Sequence, residues 1–235
     1  MRSSRSTIAV MSACVVLAGC APAVDGASVV HIVDAAKPSA SRSLDQVLPT
    51  VDELATTLGT GGFIGQLVEG GSDMLLQGVG ESDATPSECV SPAYRLEKVV
   101  YQASPVRSVA SQSWAGGDAS GPTASGFFGV VQFASPDDAQ TFFAASADKW
   151  HRCNGQTLVV HQPQHGADGL SRITDVAIDN RIVSAVVMRD AGSTIQRALG
   201  VASDCIVDVE ITDGGNGAAG AVKVANLMVQ KIGAS

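Results

Sequence analysis

The clearest amphipathic pattern in the sequence lies in SPDDAQTFFAASADKWHRC, residues 135–153. Apolar side chains recur there at helical spacing, at Ala139, Phe142, Phe143, Ala147 and Trp150. Ser135 is typical of a helix N-cap, and the proline and two aspartates that follow it favour a first helical turn. The pattern therefore predicts a helix whose last turn directs Trp150 toward the core, with Cys153 just past it.

Two further helices are predicted toward the two ends of the chain. In TVDELATTLG, residues 50–59, Thr50 and Glu53 have the spacing of a capping box, and Gly59 ends the helical pattern. Residues 218–232, AAGAVKVANLMVQKI, have the apolar face of a full amphipathic helix. The glycine-rich stretch 60–80 has no pattern that assigns an element to it.

The remaining apolar patterns are typical of β-strands. Residues 125–134, SGFFGVVQFA, are apolar on both faces and predict a central strand. In DCIVDVEIT, residues 204–212, Cys205 falls on an apolar face, whereas Asp208 and Glu210 fall on a polar one. Further strands are predicted within residues 95–102, 106–114, 156–161, 171–179, 181–190 and 194–203. An antiparallel β-sheet with helices packed on one side predicts an α+β fold, a single two-layer domain.

The N-terminus changes this picture by placing the domain outside the cytoplasm. Arg2 and Arg5 precede a short apolar run, which has the layout of a secretory signal peptide and is too short to span a membrane. The run ends in Leu-Ala-Gly-Cys at residues 17–20, which resembles the bacterial lipoprotein box. We expect a signal peptide over residues 1–19, a lipidated (palmitate-bearing) Cys20, and a flexible tether over residues 20–43. The expected location is the extracytoplasmic face of the cell membrane, and the membrane itself is the expected partner of Cys20.

Charge and composition exclude some functions for the mature chain, residues 20–235, of which residues 44–235 are the predicted domain. Without Arg2 and Arg5 the chain has 13 basic and 23 acidic residues, so its formal charge changes from −8 to −10. An acidic chain with no basic cluster is a poor nucleic-acid binder, and no nucleic-acid partner is predicted. Charged residues make up 16% and apolar residues 45% of the sequence, which favours a folded domain over a disordered stalk.

Five cysteines are present, and export determines what they can do. Cys14 leaves with the signal peptide and Cys20 takes the lipid, so Cys89, Cys153 and Cys205 remain in an oxidising compartment. Three cysteines form at most one intramolecular bridge. Because Cys205 falls on the apolar face of its strand, it is expected to be a buried thiol outside that bridge.

Several motifs follow one another in a recognisable order: VLPTVDELATTLG, PSECVSPAYRLEKVVYQ and VVQFASPDDAQTFFAASADKWHRC, then Gln-Arg-Ala-Leu, Val-Asp-Val and an alanine-rich last helix. This order resembles one family, the PknH-like extracellular domain, which is the sensor module of a mycobacterial serine/threonine kinase and also occurs in actinobacterial lipoproteins. The resemblance covers about residues 44–234. Kinase motifs are absent from the sequence, so the chain is not itself a kinase.

The resemblance implies an antiparallel sheet with packed helices, a cleft for an unidentified small-molecule or protein ligand, and no established enzymatic activity. It also implies a disulfide between Cys89 and Cys153, whereas a second bridge found in family members has no cysteines here. From the residues alone, a bridge between Cys153 and Cys205 is the alternative. The resemblance does not name the ligand-binding residues.

Three motifs could carry chemistry, and each also has a simpler interpretation. Cys153, two residues from His151, could be a thiol nucleophile only if it were reduced. GGDASGPTASG, residues 116–126, is similar to the surroundings of a trypsin-like serine, but Asp118 and Ser120 are not adjacent, which favours a hairpin loop. HQPQH, residues 161–165, contains two histidines four apart, yet Pro163 disfavours the helix on which that spacing would bind zinc. No catalytic residue, metal or cofactor is predicted, and the aromatic residues of 127–150 are assigned to the core.

Three functions therefore stand as hypotheses. The first is a lipid-anchored envelope protein with a non-catalytic, sensor-like domain that binds a ligand or a partner. The second is an envelope thiol enzyme or hydrolase that uses Cys153 with His151. The third is a purely structural accessory lipoprotein that binds other envelope proteins only.

Overall fold

The computed structural model describes residues 43–118, 121–161, 168–190, 192–213 and 219–234. The predicted signal peptide, Cys20 and all but the last residue of the tether lie outside these ranges. The loop residues 119–120 and 162–167, which hold parts of two motifs discussed above, also lie outside them.

Within the described residues, ten strands form one sheet in which paired neighbours run antiparallel. The strands are β1 Gly62–Ile64, β2 Val68–Gly70, β3 Ala84–Thr85, β4 Val106–Asp118, β5 Gly121–Phe133, β6 Thr157–Val160, β7 Gly169–Asp179, β8 Ile182–Arg189, β9 Thr194–Ala202 and β10 Cys205–Asp213. Their order is β1-β4-β5-β10-β9-β8-β7-β6-β3, and β2 pairs with β4 beyond β1. One sheet edge is thus made of two short strands, β1 and β2, laid along the outer side of the long strand β4.

Five α-helices accompany the sheet in the described part of the chain. They are α1 Val51–Leu58, α2 Val90–Ala93, α3 Lys98–Tyr101, α4 Pro136–Cys153 and α5 Ala219–Gly233. The predicted capping box of α1 is confirmed, since the Glu53 backbone N–H donates to Thr50 Oγ1 and the Thr50 N–H donates to the Glu53 carboxylate. Ser135 likewise caps α4, which extends through Cys153, so this cysteine lies in the last turn of the helix and not beyond it.

The predicted α+β class with its antiparallel sheet is confirmed, but the helices cover both faces of the sheet. Helix α4 and the short helices α2 and α3 pack on one face, here called the α4 face, and α1 and α5 pack on the other. The domain therefore has three layers where the sequence pattern predicted two. Strand β9 shows the reason: every residue from Ile195 to Ala202 is buried, so both faces of the central strands need cover.

The segment 95–102 is helical at its C-terminal end, and the strand predicted there is wrong. Residues 89–101, here called the strap, cross the α4 face as two short helices joined by Tyr94 to Glu97. The backbone N–H of Leu96 donates to the Asp208 carboxylate, and the Leu96 side chain packs over Gly129. Contacts with the sheet beneath the strap thus override the weak strand pattern of its sequence.

Candidate functional site

Two acidic side chains of β10 are buried under the strap. Asp208 and Glu210 point to the α4 face, where they are 2% and 8% exposed. The alternating pattern had placed them on a polar face of the strand, and that face is correct, but it is covered. The available signal was the position of these charges, and of Arg197, inside strands that are otherwise apolar.

Arg197 and Asp208 form a fully buried ion pair. Arg197 Nη2 lies 2.8 Å from Asp208 Oδ1, and the other carboxylate oxygen accepts from the Leu96 N–H at 2.9 Å and the Tyr101 hydroxyl at 3.1 Å. The Arg197 guanidinium also donates to four carbonyl oxygens, those of Ser91, Pro92, Tyr94 and Val209. Burial first, and then the charge of Asp208, raise the pKa of Tyr101 well above its usual range, which keeps the hydroxyl a donor. The polar groups of this network thus act as hydrogen-bond partners for one another, and the ion pair fixes the strap to the sheet.

A second ion pair lies next to the first but reaches solvent. Arg95 Nη1 of the strap is 2.6 Å from Glu210 Oε1, and Arg189 Nη2 is 3.9 Å from Glu210 Oε2. The Arg95 guanidinium stacks 4.1 Å from the centre of the Phe127 ring. The side chains of Arg95 and Arg189 are 30% and 32% exposed, in contrast to Arg197 at 0%. The Arg95–Glu210 pair therefore forms part of a surface that a ligand can reach.

This surface is a cavity of about 210 Å³, here called the Arg95–Glu210 cavity. Its lining consists of the ion pair, three hydroxyl side chains, one aromatic ring and two further strand residues: Arg95, Glu210, Ser113, Ser125, Thr212, Phe127, Trp114 and Gly126. Among the described residues, two buried polar atoms of the ion pair, Arg95 Nε and Glu210 Oε2, have no hydrogen-bond partner. Nε1 of Trp114 has none either, but the Trp114 side chain belongs to the core on the opposite face of the sheet. Buried polar atoms left without partners are costly, so a ligand that supplied partners would be stabilised there.

A second cavity, of about 290 Å³, lies where residues 77–83 meet α3. None of its lining residues carries a buried polar atom without a partner. Beside it, the carboxylate of Glu97 accepts from the backbone N–H groups of Gly78 and Val79 at 3.0 and 3.1 Å. Burial raises the pKa of Glu97 above its ordinary value, and these two hydrogen bonds oppose the rise only in part. This carboxylate ties a loop to the strap, and we assign it a structural role.

The raised pKa of Glu97 predicts a pH dependence of stability. Between the ordinary value of 4.5 and the raised folded value, the folded protein holds the proton more tightly than the unfolded chain does. The contribution of Glu97 to stability is therefore full below pH 4.5 and is lost as the pH rises through the folded pKa. Relative to Glu97→Gln, the wild-type protein should lose stability over this window, as measured by urea unfolding at several pH values. Glu81→Gln, at an exposed position of the adjoining turn, is the control, and an equal change in both variants would contradict the assignment.

The structure contains the disulfide that the family resemblance implies. Cys89 and Cys153 are bonded, and both are buried, at 1% and 0% exposure. The bridge joins the start of the strap to the last turn of α4, next to the hydrogen bond that Trp150 Nε1 donates to Ser91 Oγ at 2.8 Å. A bridged, buried sulfur is not a nucleophile, so the thiol-enzyme hypothesis loses its Cys153. Cys205 is buried on the opposite face of the sheet, outside the bridge.

The other candidate motifs are only partly described. His161 Nδ1 lies 3.3 Å from the Asp168 carboxylate, and both side chains are half exposed, while the rest of HQPQH falls outside the described residues. Ser120 of the Gly/Ser-rich loop lies outside them as well. Among the residues that are described, no three His, Cys, Asp or Glu side chains are placed to hold a metal ion. The aromatic residues form core as predicted, with Phe142 stacked 4.7 Å from Tyr101, except that Phe127 also lines the cavity.

Comparisons with known proteins add the following. The family model of the PknH-like extracellular domain matches residues 39–231. The solved extracellular domain of PknH from Mycobacterium tuberculosis superposes with a TM-score of 0.72 at 22% identity, covering 85% of this chain and 99% of that one, which supports the fold. An uncharacterised protein from Mycobacterium smegmatis gives a TM-score of 0.41 at 10% identity, over 82% of this chain and 96% of that one. No curated protein matches the sequence. No helix in the described residues is long and apolar enough to cross a membrane.

Proposed function

This chain belongs to the PknH-like extracellular domain family, and from that membership we propose that it is a cell-envelope protein, anchored by a lipid on Cys20, whose domain binds a ligand or partner without catalysis. The observation that carries the binding role is the Arg95–Glu210 cavity. It opens to solvent, and its wall includes buried polar atoms that lack partners. The strap holds Arg95 over this cavity, so the binding wall is built into the fold.

The non-catalytic character rests on the chemistry of the same region. The arginine and the carboxylate neutralise each other at 2.6 Å, which is an arrangement for recognition and not for proton transfer. The cavity lining offers hydroxyl groups of Ser113, Ser125 and Thr212 but no histidine or lysine that could activate them. The sensor-like role follows from the family alone.

The ligand-binding role predicts that a bulky side chain at position 125 blocks the site. Ser125 is exposed on β5 and lines the cavity, so Ser125→Trp should fill it without disturbing the core. The domain of residues 41–235, secreted into an oxidising compartment and exposed to an envelope extract, should carry a bound species in native mass spectra. In Ser125→Trp, the fraction of the domain that carries this species should fall at least about tenfold. Thr157→Trp, at an exposed position of β6, is the matched control.

Two results would contradict the binding role at this cavity. One is a wild-type domain that carries no bound species under any extract condition. The other is a bound species that survives Ser125→Trp as well as it survives Thr157→Trp, because the ligand would then occupy another surface.

The lipid anchor predicts a difference between two cysteine substitutions in the full chain. Cys20 closes the Leu-Ala-Gly-Cys box, whereas Cys14 lies within the apolar run before it. In an actinobacterial host, Cys20→Ala should move the protein out of the detergent phase and abolish the acylated N-terminal peptide in mass spectra, since two acyl chains make the anchor stable. Cys14→Ala should leave both unchanged. If both variants partitioned equally between the detergent and aqueous phases, the lipid anchor on Cys20 would be contradicted.

A further inference from the structure

A strip of side chains connects the Arg95–Glu210 cavity to the edge of the sheet. In the strand register, Thr212 of β10 pairs with Ser125 of β5, Ser125 with Ala115 of β4, and Ala115 with Phe63 of β1. Residues paired directly across antiparallel strands share a face, so all four side chains lie on the α4 face. With strands spaced about 4.8 Å apart, the strip runs about 14 Å from Thr212 to Phe63.

The outer end of this strip is an exposed aromatic ring. Phe63 is 79% exposed, the highest exposure of any large apolar side chain in the described part of the chain. Its neighbours along the row, Ala115 and Ser125, are small and exposed, so nothing along the strip covers the ring. A ring standing on a floor of small side chains is a platform on which a flat partner can stack.

The inner end of the strip is polar but carries little net charge. Within the lining, the charges of Arg95 and Glu210 neutralise each other, so a cation would be repelled by the arginine and an anion by the carboxylate. Arg189, which lies 3.9 Å from Glu210 Oε2, is not a lining residue. On the α4 face, the buried lining atoms without a hydrogen-bond partner are one acceptor, Glu210 Oε2, and one donor, Arg95 Nε. Three hydroxyl side chains around them both donate and accept. Phe127 is the one large apolar side chain that the lining presents on the α4 face, since the Trp114 side chain packs on the opposite face, and one ring is too little for an acyl chain.

Resting on the proposed binding role of this cavity, we propose that its ligand is a short neutral oligosaccharide of two to three sugar rings. The hydroxyl groups of one ring donate to Glu210 Oε2 and accept from Arg95 Nε, which satisfies both buried atoms. The chain then crosses the small side chains of the strip, and the C–H face of an outer ring stacks on Phe63. The length of the strip, about 14 Å, matches such an oligomer and exceeds a single sugar.

The test uses residues 41–235, which form a compact unit and correspond to a domain solved on its own. Neutral gluco-, manno-, galacto- and arabino-trisaccharides in α and β linkage are titrated into the ¹⁵N-labelled domain by NMR. At least one should shift the amide signals of Ser125 and Thr212, and its monosaccharide should bind about tenfold or more weakly.

Three substitutions decide where the sugar lies. Phe63→Ser should lower the affinity for the trisaccharide about tenfold and leave the affinity for the monosaccharide unchanged. Ile178→Ser, at another exposed apolar position, should change neither affinity. Glu210→Gln should weaken both sugars about tenfold or more, because it removes a charged acceptor. Thr212→Val is an isosteric change at a partly exposed position that does not alter the ion pair, and it should lower the affinity for both sugars by a smaller factor. Binding that ignores Phe63→Ser and Thr212→Val overturns the inference.

Charged trisaccharides and neutral tripeptides are titrated in parallel to separate this inference from the proposed function. If only these shift the signals of Ser125 and Thr212, the cavity binds a ligand and the neutral oligosaccharide is wrong. If no probe shifts these signals and Ser125→Trp also changes no bound species, both the inference and the binding role fail.

Discussion

Arg197→Met is expected to lower the free energy of unfolding by about 3–5 kcal/mol, because it leaves the Asp208 charge buried without its partner. Asp208 is 2% exposed, and its remaining donors, the Leu96 N–H and the Tyr101 hydroxyl, are neutral. The substitution also removes the donors to the strap carbonyls of Ser91, Pro92 and Tyr94. Urea unfolding followed by tryptophan fluorescence measures the loss, since Trp150 packs beside this network.

A double-mutant cycle separates the ion pair from the packing of the arginine stem. Asp208→Asn removes the charge and keeps the shape, so the double variant should be more stable than the sum of the two single losses predicts, by about 1–3 kcal/mol. Arg107→Met, an exposed arginine on β4, is the control for the substitution type and should change stability by less than about 0.5 kcal/mol. A loss below about 1 kcal/mol in Arg197→Met would show that the pair does not hold the strap.

Removal of the disulfide is the second change with a large expected effect. The bridge spans 64 residues, and a loop of that length corresponds to about 4 kcal/mol in the chain-entropy model, of which real proteins often show less. Cys89→Ala with Cys153→Ala should therefore lower the free energy of unfolding by about 2–4 kcal/mol. The same double substitution should weaken ligand binding at the Arg95–Glu210 cavity, because the strap that carries Arg95 loses its link to α4.

Reductant provides the matched comparison for this prediction. The wild-type domain should lose a similar amount of stability in dithiothreitol, and the double variant should not respond to it. Cys205→Ala keeps the bridge and should respond as the wild type does, apart from a small constant loss from its buried position. A wild-type domain whose unfolding midpoint is the same with and without dithiothreitol would contradict the structural role of the bridge.

The elements with strong local signals were predictable from the sequence. Helices α1 and α4 have N-caps and apolar stripes at helical spacing, which favour a helix over other conformations. Strands β5 and β10 have strand patterns that agree with their packing in the sheet. The strap was not predictable, because Arg95 to Gln102 has only a short apolar pattern and adopts its shape through Asp208, more than 100 positions away. Long-range contacts of that kind leave no local trace in the sequence.

The candidate site was predictable only in outline. The family resemblance implied a cleft and the bridge between Cys89 and Cys153, but it assigned no residue to the cleft. Asp208 and Glu210 looked like solvent-facing residues, since an alternating pattern reports which face a side chain occupies and not what covers that face. The charge in Gln-Arg-Ala-Leu was the usable clue, because an arginine within an otherwise largely apolar strand is placed among buried neighbours, as it is here from Ile195 to Ala202.

The bridge at the start of the strap also sets the order of events in the life of the protein. Cys89 and Cys153 pair only in an oxidising compartment, and the cytoplasm keeps such thiols reduced. A newly made chain still inside the cell would hold Arg95 in place through hydrogen bonds and the ion pair to Glu210 alone. Under the proposed function, the surface around Arg95 would therefore be complete only after the chain has left the cytoplasm.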